Sequence, residues 1–167
     1  MKPEHMTPNE MAEYLDWAGH DFAALPVATR GGYWADADLS RINAPATMWN
    51  SAYCRDANFA GAALVGADFC SAYLGGASFE EADLRGACFD LAAVTGARFH
   101  GAQLPAIDAF TRTFVGSGDP KRIARVTGLP LAYVLHAQAT SLPIVERCRA
   151  ERTQSIYQPV DPGYEIA

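Results

Sequence analysis

The sequence predicts a β-solenoid, in which the chain coils repeatedly around one narrow core. An alanine occupies every fifth position from Ala52 to Ala102 without a miss. An apolar side chain follows two residues after each alanine, from Cys54 to Leu104. A strict period of five matches neither a helix nor a strand, so the repeating unit is a short segment bounded by turns.

Each alanine and its apolar partner are two residues apart, so in an extended segment both side chains point to the same side. Only a small residue fits beside a phenylalanine in a narrow core, which explains the alanines. Glycines recur at the last position of the unit, as in Gly61 and Gly66, where the chain must turn a corner. The predicted structural core comprises Phe59, Leu64, Phe69, Leu74, Phe79, Leu84, Phe89, Phe99 and Leu104.

Units such as Ala57-Asn58-Phe59-Ala60-Gly61 resemble the pentapeptide-repeat family. Its motif is a small residue, Asp or Asn, Leu or Phe, and two variable positions. The resemblance covers about residues 37–106. It implies a right-handed quadrilateral parallel β-helix, with one unit on each side and four units in each coil.

Residues twenty apart should then stack, separated by one strand spacing of roughly 4.8 Å. This register predicts two aromatic ladders on opposite sides of the core. The first ladder contains Phe59, Phe79 and Phe99, and the second contains Trp49, Phe69 and Phe89.

The period weakens at both edges of the repeat. At Ile42/Ala44 and at Ile107/Ala109 the large and small inward residues exchange places, which predicts terminal coils. Upstream, Phe22, Val27, Trp34 and Leu39 indicate a further irregular coil, with a register slip within Ala28–Asp36. We expect about four to five coils.

Helical caps are expected at both ends, because open ends of a β-helix expose unpaired backbone groups. Thr7-Pro8-Asn9-Glu10 is typical of a capping box and predicts a helix over 7–18. The predicted organisation is an N-terminal capping helix in 1–19, a β-helix in 20–115, and a C-terminal helical cap or dimerisation segment with an extended tail in 116–167. Helices are expected at about 120–127, 131–140 and 143–152, and the candidate cap or dimer contacts are Leu131, Val134 and Leu135.

Composition favours one domain with an appendage, since half of the 167 residues are apolar. No apolar run is long enough to span a membrane, and the first residues lack the apolar stretch of a secretion signal. We therefore expect a cytoplasmic protein.

No catalytic, cofactor or metal site is expected. The four histidines have no paired spacing typical of metal ligands. Among the four cysteines, Cys54 should point inward, whereas Cys70 and Cys88 should face outward on neighbouring coils with Cα atoms about 8 Å apart. That separation exceeds the bridging limit of about 7 Å, so free thiols are expected.

The sequence thus favours a non-enzymatic interaction or scaffold module that uses the outer faces of the solenoid to bind a protein partner. Tyr53 and Tyr73 occupy equivalent outward positions on neighbouring coils, with Arg55 beside them. Exposed aromatics next to arginine have the composition of an interaction hot spot. Packing beneath the C-terminal helices would explain the same residues equally well.

Two alternatives concern DNA. The family resemblance implies that some members modulate or protect DNA gyrase by mimicking duplex DNA and dimerise through C-terminal helices. An acidic surface here would involve Asp68, Glu80, Asp83 and Asp90, although Arg55, Arg85 and Arg98 interrupt it. The net charge is −6.

The third hypothesis is DNA binding, because residues 122–134 resemble a helix-turn-helix. Lys121, Arg122 and Arg125 could contact phosphates. The second helix offers only His136 and Gln138 as side chains that could read bases, so capping or dimerisation is the preferred interpretation.

Overall fold

The computed structural model describes residues 17–22 and 32–141. Several predictions lie outside these residues: the N-terminal helix over 7–16, the inward placement of Val27, the helix over 143–152 and the extended tail.

The described chain winds as a parallel β-helix with four short sides in each coil. Single parallel bridges join residues twenty apart, from Tyr33 with Tyr53 to Asp83 with Gln103. Between neighbouring coils, backbone N–H groups donate to carbonyls nineteen residues ahead, as from Phe59 to Ser78 at 2.7 Å. Each side contributes one bridging residue, so the described residues form isolated bridges and not strands of several residues. The predicted right-handed quadrilateral β-helix is confirmed.

Left-handed backbone angles turn the corners between sides. Gly61 has a φ of 66°, and the other predicted corner glycines have similar angles. Non-glycine residues occupy equivalent corners, including Asp56 at 57° and Leu91 at 59°. Glycine therefore relieves strain at a corner that the stacked coils enforce in any case.

Two aromatic ladders fill the core as predicted. Phe59 and Phe79 stack at 5.0 Å between ring centroids with an interplanar angle of 1°, and Phe79 and Phe99 stack at 5.2 Å. Trp49, Phe69 and Phe89 form the opposite ladder, which meets the first edge to face. The predicted core residues are buried, except that Leu104 is partly buried against the core.

The upstream end carries two extra residues. Asp21 bridges Asn43, an offset of twenty-two, whereas Tyr33 bridges Tyr53 at the regular twenty. The slip lies between Asp21 and Tyr33, so the last four residues of the predicted interval 28–36 are in register. Trp17 joins the coil through its N–H to the Asp38 carbonyl at 2.6 Å, so the predicted helix does not extend through residues 17–18. The exchanged inward pair at 42 and 44 is confirmed, since both side chains are fully buried.

The prediction that the large and small inward residues also exchange places at Ile107/Ala109 is wrong. Ile107–Phe110 forms a 3₁₀ helix, which leaves Ile107 exposed and turns Phe110 into the core. Phe110 stacks on Phe89 at 4.9 Å. The tighter turn inserts one residue, so Ala93 bridges Phe114 at an offset of twenty-one.

Two helices close the downstream end. Helix α1 spans Pro120–Thr127, begins at the Asp119 side chain, which accepts from the N–H groups of Lys121 and Arg122, and ends at Gly128 with a φ of 76°. The described part of helix α2 covers 131–141. The Thr127 carbonyl accepts from the Phe99 N–H at 2.6 Å, so α1 satisfies a donor of the last coil. Neither helix is long and apolar enough, over these described residues, to cross a membrane.

Candidate functional site

A column of tyrosines lies on one outer side of the β-helix. We name Tyr33, Tyr53 and Tyr73 the tyrosine face. Tyr33 and Tyr53 stack at 5.0 Å between centroids with an angle of 10°, and Tyr53 and Tyr73 lie at 6.0 Å and 40°. Tyr33 is 61% exposed and Tyr73 is 57% exposed. Parallel bridges between the backbones of these residues fix the spacing of the column.

A groove with a volume of about 440 Å³ adjoins the tyrosine face. It exists because small residues follow large ones in neighbouring coils: Tyr73 is followed by Ala93, and Arg55 is followed by Gly75. The Asp56 carboxylate lies over Gly76, where a Cβ atom would overlap it. The groove thus has an aromatic wall and a charged rim.

Arg55 supplies the positive charge of this rim. Its Nε donates to Asp56 Oδ2 at 3.2 Å, and 67% of its side chain remains exposed. Hydrogen bonding to Asp56 and then to Tyr53 raises the pKa of the guanidinium. Arg55 is therefore held beside the tyrosines while most of its surface still faces solvent.

The C-terminal helices leave the tyrosine face open over the described residues. Tyr33 and Tyr73 are more than half exposed, with α1 and the described part of α2 both in place. A second depression of about 440 Å³ lies between the coil residue Thr95 and helix α1, with Gly116, Ile123 and Val126 in its lining. Thr95 also lines the first groove, so the two depressions are neighbours.

Sequence reasoning overlooked Tyr33, the most exposed member of the column. It precedes Tyr53 by one full coil, and this spacing was the available signal. The predicted register slip over 28–36 hid the signal, because it placed Tyr33 within a segment of unknown register.

Of the four acidic candidates, only Asp68 and Asp90 share a side of the β-helix, and all but Asp68 are paired with an arginine. Arg85 donates to both oxygens of Asp83, at 2.9 and 2.7 Å, and this pairing lowers the pKa of Asp83. Asp90 pairs with Arg112 in the same two-pronged way. Glu80 lies 3.5 Å from Arg98, and Asp68 accepts from the backbone N–H of Cys70 at 2.9 Å.

The two outward thiols meet. The Sγ atoms of Cys70 and Cys88 are 2.7 Å apart, although no bond joins them. The Asp68 carboxylate completes a cluster in which the three ligand atoms lie within 4.8 Å of one another. Burial raises the pKa of the Cys70 thiol, and its hydrogen bonds with Asp68 and Cys88 raise this pKa further. The expected separation of the Cα atoms did not account for side chains that converge.

The candidate cap contacts divide into two groups. Val134 is fully buried, whereas Leu131 is 38% and Leu135 is 48% exposed. Val134 therefore has the burial expected of a cap contact. Leu131 and Leu135 remain candidates for an interface between two copies of the chain.

The two potential base-reading side chains are engaged within the chain. His136 Nε2 lies 3.1 Å from Thr111 Oγ1. The Gln138 side-chain amide donates to the Gly116 and Gly118 carbonyls at 2.9 and 3.0 Å. His136 is thus directed toward the end of the 3₁₀ helix, and Gln138 toward the segment that links the last coil to α1.

The family described as Pentapeptide repeats matches residues 52–90 and 64–101, in eight copies. Among solved structures, the pentapeptide-repeat protein Rfr23 from the cyanobacterium Cyanothece 51142 is 23% identical, with 52% of this chain and 55% of that chain covered and a TM-score of 0.44. The pentapeptide-repeat protein alr5209 from Nostoc PCC 7120 is 22% identical, with 70% and 88% covered and a TM-score of 0.43.

QnrB1, a plasmid-mediated fluoroquinolone resistance protein, is 17% identical, with 62% of this chain and 54% of that chain covered and a TM-score of 0.42. This chain matches about half the length of Rfr23 and of QnrB1. No curated protein matches the sequence. The repeat match over 52–101, joined to the twenty-residue coil of the same residues, shows that this part of the chain is built from pentapeptide repeats.

Proposed function

We propose that this chain is a non-enzymatic interaction module that binds a protein partner through the tyrosine face. The observation that carries the proposal is the column of three tyrosines, in which Tyr33 stacks on Tyr53, Tyr73 is tilted against Tyr53, and Tyr33 and Tyr73 are more than half exposed. Tyrosine and arginine are enriched among residues that dominate binding energy at interfaces, and Arg55 lies at the edge of this column.

The β-helix supports this role because it fixes, before binding, the backbone positions that carry the aromatic rings. The backbones of Tyr33, Tyr53 and Tyr73 bridge one another, so their order and spacing are set by the fold. A partner would therefore lose less free energy to the ordering of this surface than to the ordering of a loop.

The chemistry of the surface defines the partner segment. An aromatic or arginine side chain of the partner would lie against the tyrosine rings, where stacking and cation–π contacts are favourable. A polar group would enter the groove beside Arg55 and Asp56. We place this binding in the cytoplasm.

The DNA-mimic alternative, with DNA gyrase as partner, receives less support from the acidic surface. Arginines pair with Asp83, Asp90 and Glu80, which reduces the continuous negative potential that a DNA mimic needs. A supercoiling assay with purified gyrase tests this alternative, and we expect no inhibition or protection at stoichiometric protein.

DNA binding by the C-terminal helices has less support than the DNA-mimic alternative. His136 and Gln138 contact the chain's own residues, and Lys121, Arg122 and Arg125 are left to contact phosphates. Such contacts would give only salt-sensitive binding without sequence preference. A duplex-binding titration at two salt concentrations tests it.

Affinity capture from the native host tests the leading proposal. Tyr73→Ala should lower recovery of the bound partner by about 30-fold, the effect of losing a hot-spot residue worth roughly 2 kcal/mol. The matched control is Val65→Ala, which truncates an exposed side chain on another side. The free energy of unfolding of both variants should lie within about 0.5 kcal/mol of that of the parent, because exposed side chains contribute little to stability. Equal recovery by Tyr73→Ala and Val65→Ala would contradict the proposal.

A further inference from the structure

A second chemical cluster lies on a different side of the β-helix from the tyrosine face. Asp68 and Cys88 form a parallel bridge between neighbouring coils, and Cys70 follows Asp68 by two residues. The three side chains converge, with 2.7 Å between the two Sγ atoms and all ligand atoms within 4.8 Å. All three residues are partly exposed, so an ion could reach them from solvent.

We propose that Cys70, Cys88 and Asp68 bind a thiophilic divalent metal ion of the zinc class. Zinc is bound by thiolate sulfur at about 2.3 Å and by carboxylate oxygen at about 2.0–2.2 Å, with tetrahedral geometry. Two sulfurs and one oxygen supply three such ligands, which leaves a fourth position for water. Hard ions such as Mg²⁺ prefer oxygen ligands throughout, so the thiols select against them.

The register of the two coils favours a metal ion over a direct sulfur–sulfur bond. From one strand spacing and a two-residue offset, the expected separation of the Cα atoms is about 8 Å, whereas a disulfide usually needs less than about 7 Å. A tetrahedral zinc ion separates two sulfurs by roughly 3.8 Å, about 1 Å more than in the ion-free cluster. Rotation of the two thiol side chains can provide that change without moving the backbone.

The surroundings of the cluster suit a cation. The backbone N–H of Cys70 donates to Asp68 Oδ1 at 2.9 Å, which holds the carboxylate in place and leaves Oδ2 to coordinate. Arg112 is close enough to interact electrostatically with Cys70, but its Nε and one terminal nitrogen donate to the Asp90 carboxylate, which balances its charge. A bound ion would connect two neighbouring coils and stabilise the folded state.

Titration of the reduced full-length chain with Cd²⁺ and Zn²⁺ tests the proposal. We expect one ion per chain by calorimetry and a thiolate-to-cadmium absorption band. Cys70→Ser and Cys88→Ser should each weaken binding by about 100-fold or more, above the 10–100-fold effect of losing a supporting residue around a metal. Asp68→Asn should keep the absorption band and bind more weakly, and affinity should fall as the pH is lowered, because thiols must lose protons to bind.

Cys54→Ala is the matched control, since it removes a buried thiol outside the cluster and should leave the stoichiometry at one. Circular dichroism of each variant would verify that it is folded. Unchanged binding by a folded Cys70→Ser/Cys88→Ser double variant would overturn the proposal. The absence of binding by the reduced parent chain would also overturn it, as would a Cys70–Cys88 disulfide that forms instead of the metal complex when Zn²⁺ is present.

Discussion

The central coils of residues 52–101 and the downstream end of residues 102–141 maintain the same core by different backbone routes. In the central coils, each unit has five residues and each bridge joins residues twenty apart. Downstream, the 3₁₀ helix Ile107–Phe110 adds one residue and two α-helices replace further coils. The aromatic ladder nevertheless continues from Phe89 to Phe110.

This difference shows that the aromatic packing of the core continues beyond the residues that follow the five-residue period. Phe110 meets the ring of Tyr133 edge to face at 5.5 Å, so the aromatic contacts extend from the last coil into α2. Buried apolar area stabilises the fold whichever backbone supplies it, whereas the five-residue period matters only where neighbouring coils must also bridge. The regular and irregular regions can therefore be compared by substitution.

The largest expected effect lies in the regular region. Phe79→Ala should lower the free energy of unfolding by about 3–5 kcal/mol, because it leaves a cavity between two stacked rings and beside the second ladder. Chemical denaturation measures the change. Val65→Ala, an exposed apolar truncation in the same coils, should change it by less than about 0.5 kcal/mol. A loss below about 1 kcal/mol for Phe79→Ala would refute the close-packed core.

A matched pair of glycine substitutions compares the two regions directly. Gly66 and Gly128 have φ angles of 70° and 76°, so alanine at either position is strained by about 1 kcal/mol. A Cβ at Gly66 meets nothing within 4 Å, whereas one at Gly128 lies 2.8 Å from the backbone nitrogen of His100. Gly128→Ala should therefore cost about 1–3 kcal/mol more than Gly66→Ala, as measured by urea denaturation. Equal losses would show that the junction of α1 with the last coil has room for a Cβ atom at residue 128.

The smallest effect concerns a single hydrogen bond of the cap. Tyr133→Phe removes the hydroxyl that donates to the Pro105 carbonyl at 2.8 Å and keeps the ring against Phe110. The expected loss of stability is about 1 kcal/mol, the usual contribution of one hydrogen bond. Amide hydrogen exchange should show the change mainly in residues 105–141. Equal loss of protection across the central coils would instead indicate that the cap and the β-helix unfold as one unit.

Sequence reasoning worked best where one rule applied to every residue. The core from Phe59 to Phe99, the neighbouring positions of Tyr53 and Tyr73 on one outer side and the left-handed corners all follow from one period and the geometry of extended segments. It worked less well where the five-residue repeat ends and the chain adopts another local structure. The turn at Ile107–Phe110 occurs once, so no repeated pattern indicates it, and periodicity alone predicted an inward Ile107.

The candidate sites show the same division. The exposed Tyr73 could be placed on an outer side, but its solvent access depended on where α1 and α2 lie. The thiol cluster was missed because Cys70 and Cys88 are eighteen residues apart, two short of the coil period. Their sulfurs meet through side-chain directions, which a register of Cα positions does not contain.

By itself, the sequence determined the coil, its core and its corners, since a five-residue period leaves one set of side chains facing inward. Only the tertiary structure decided how the coil ends, which outer side chains stay exposed and which distant groups converge. The physical reason is that local geometry repeats along the chain, whereas the position of a cap and the meeting of two side chains depend on contacts between segments that share no period.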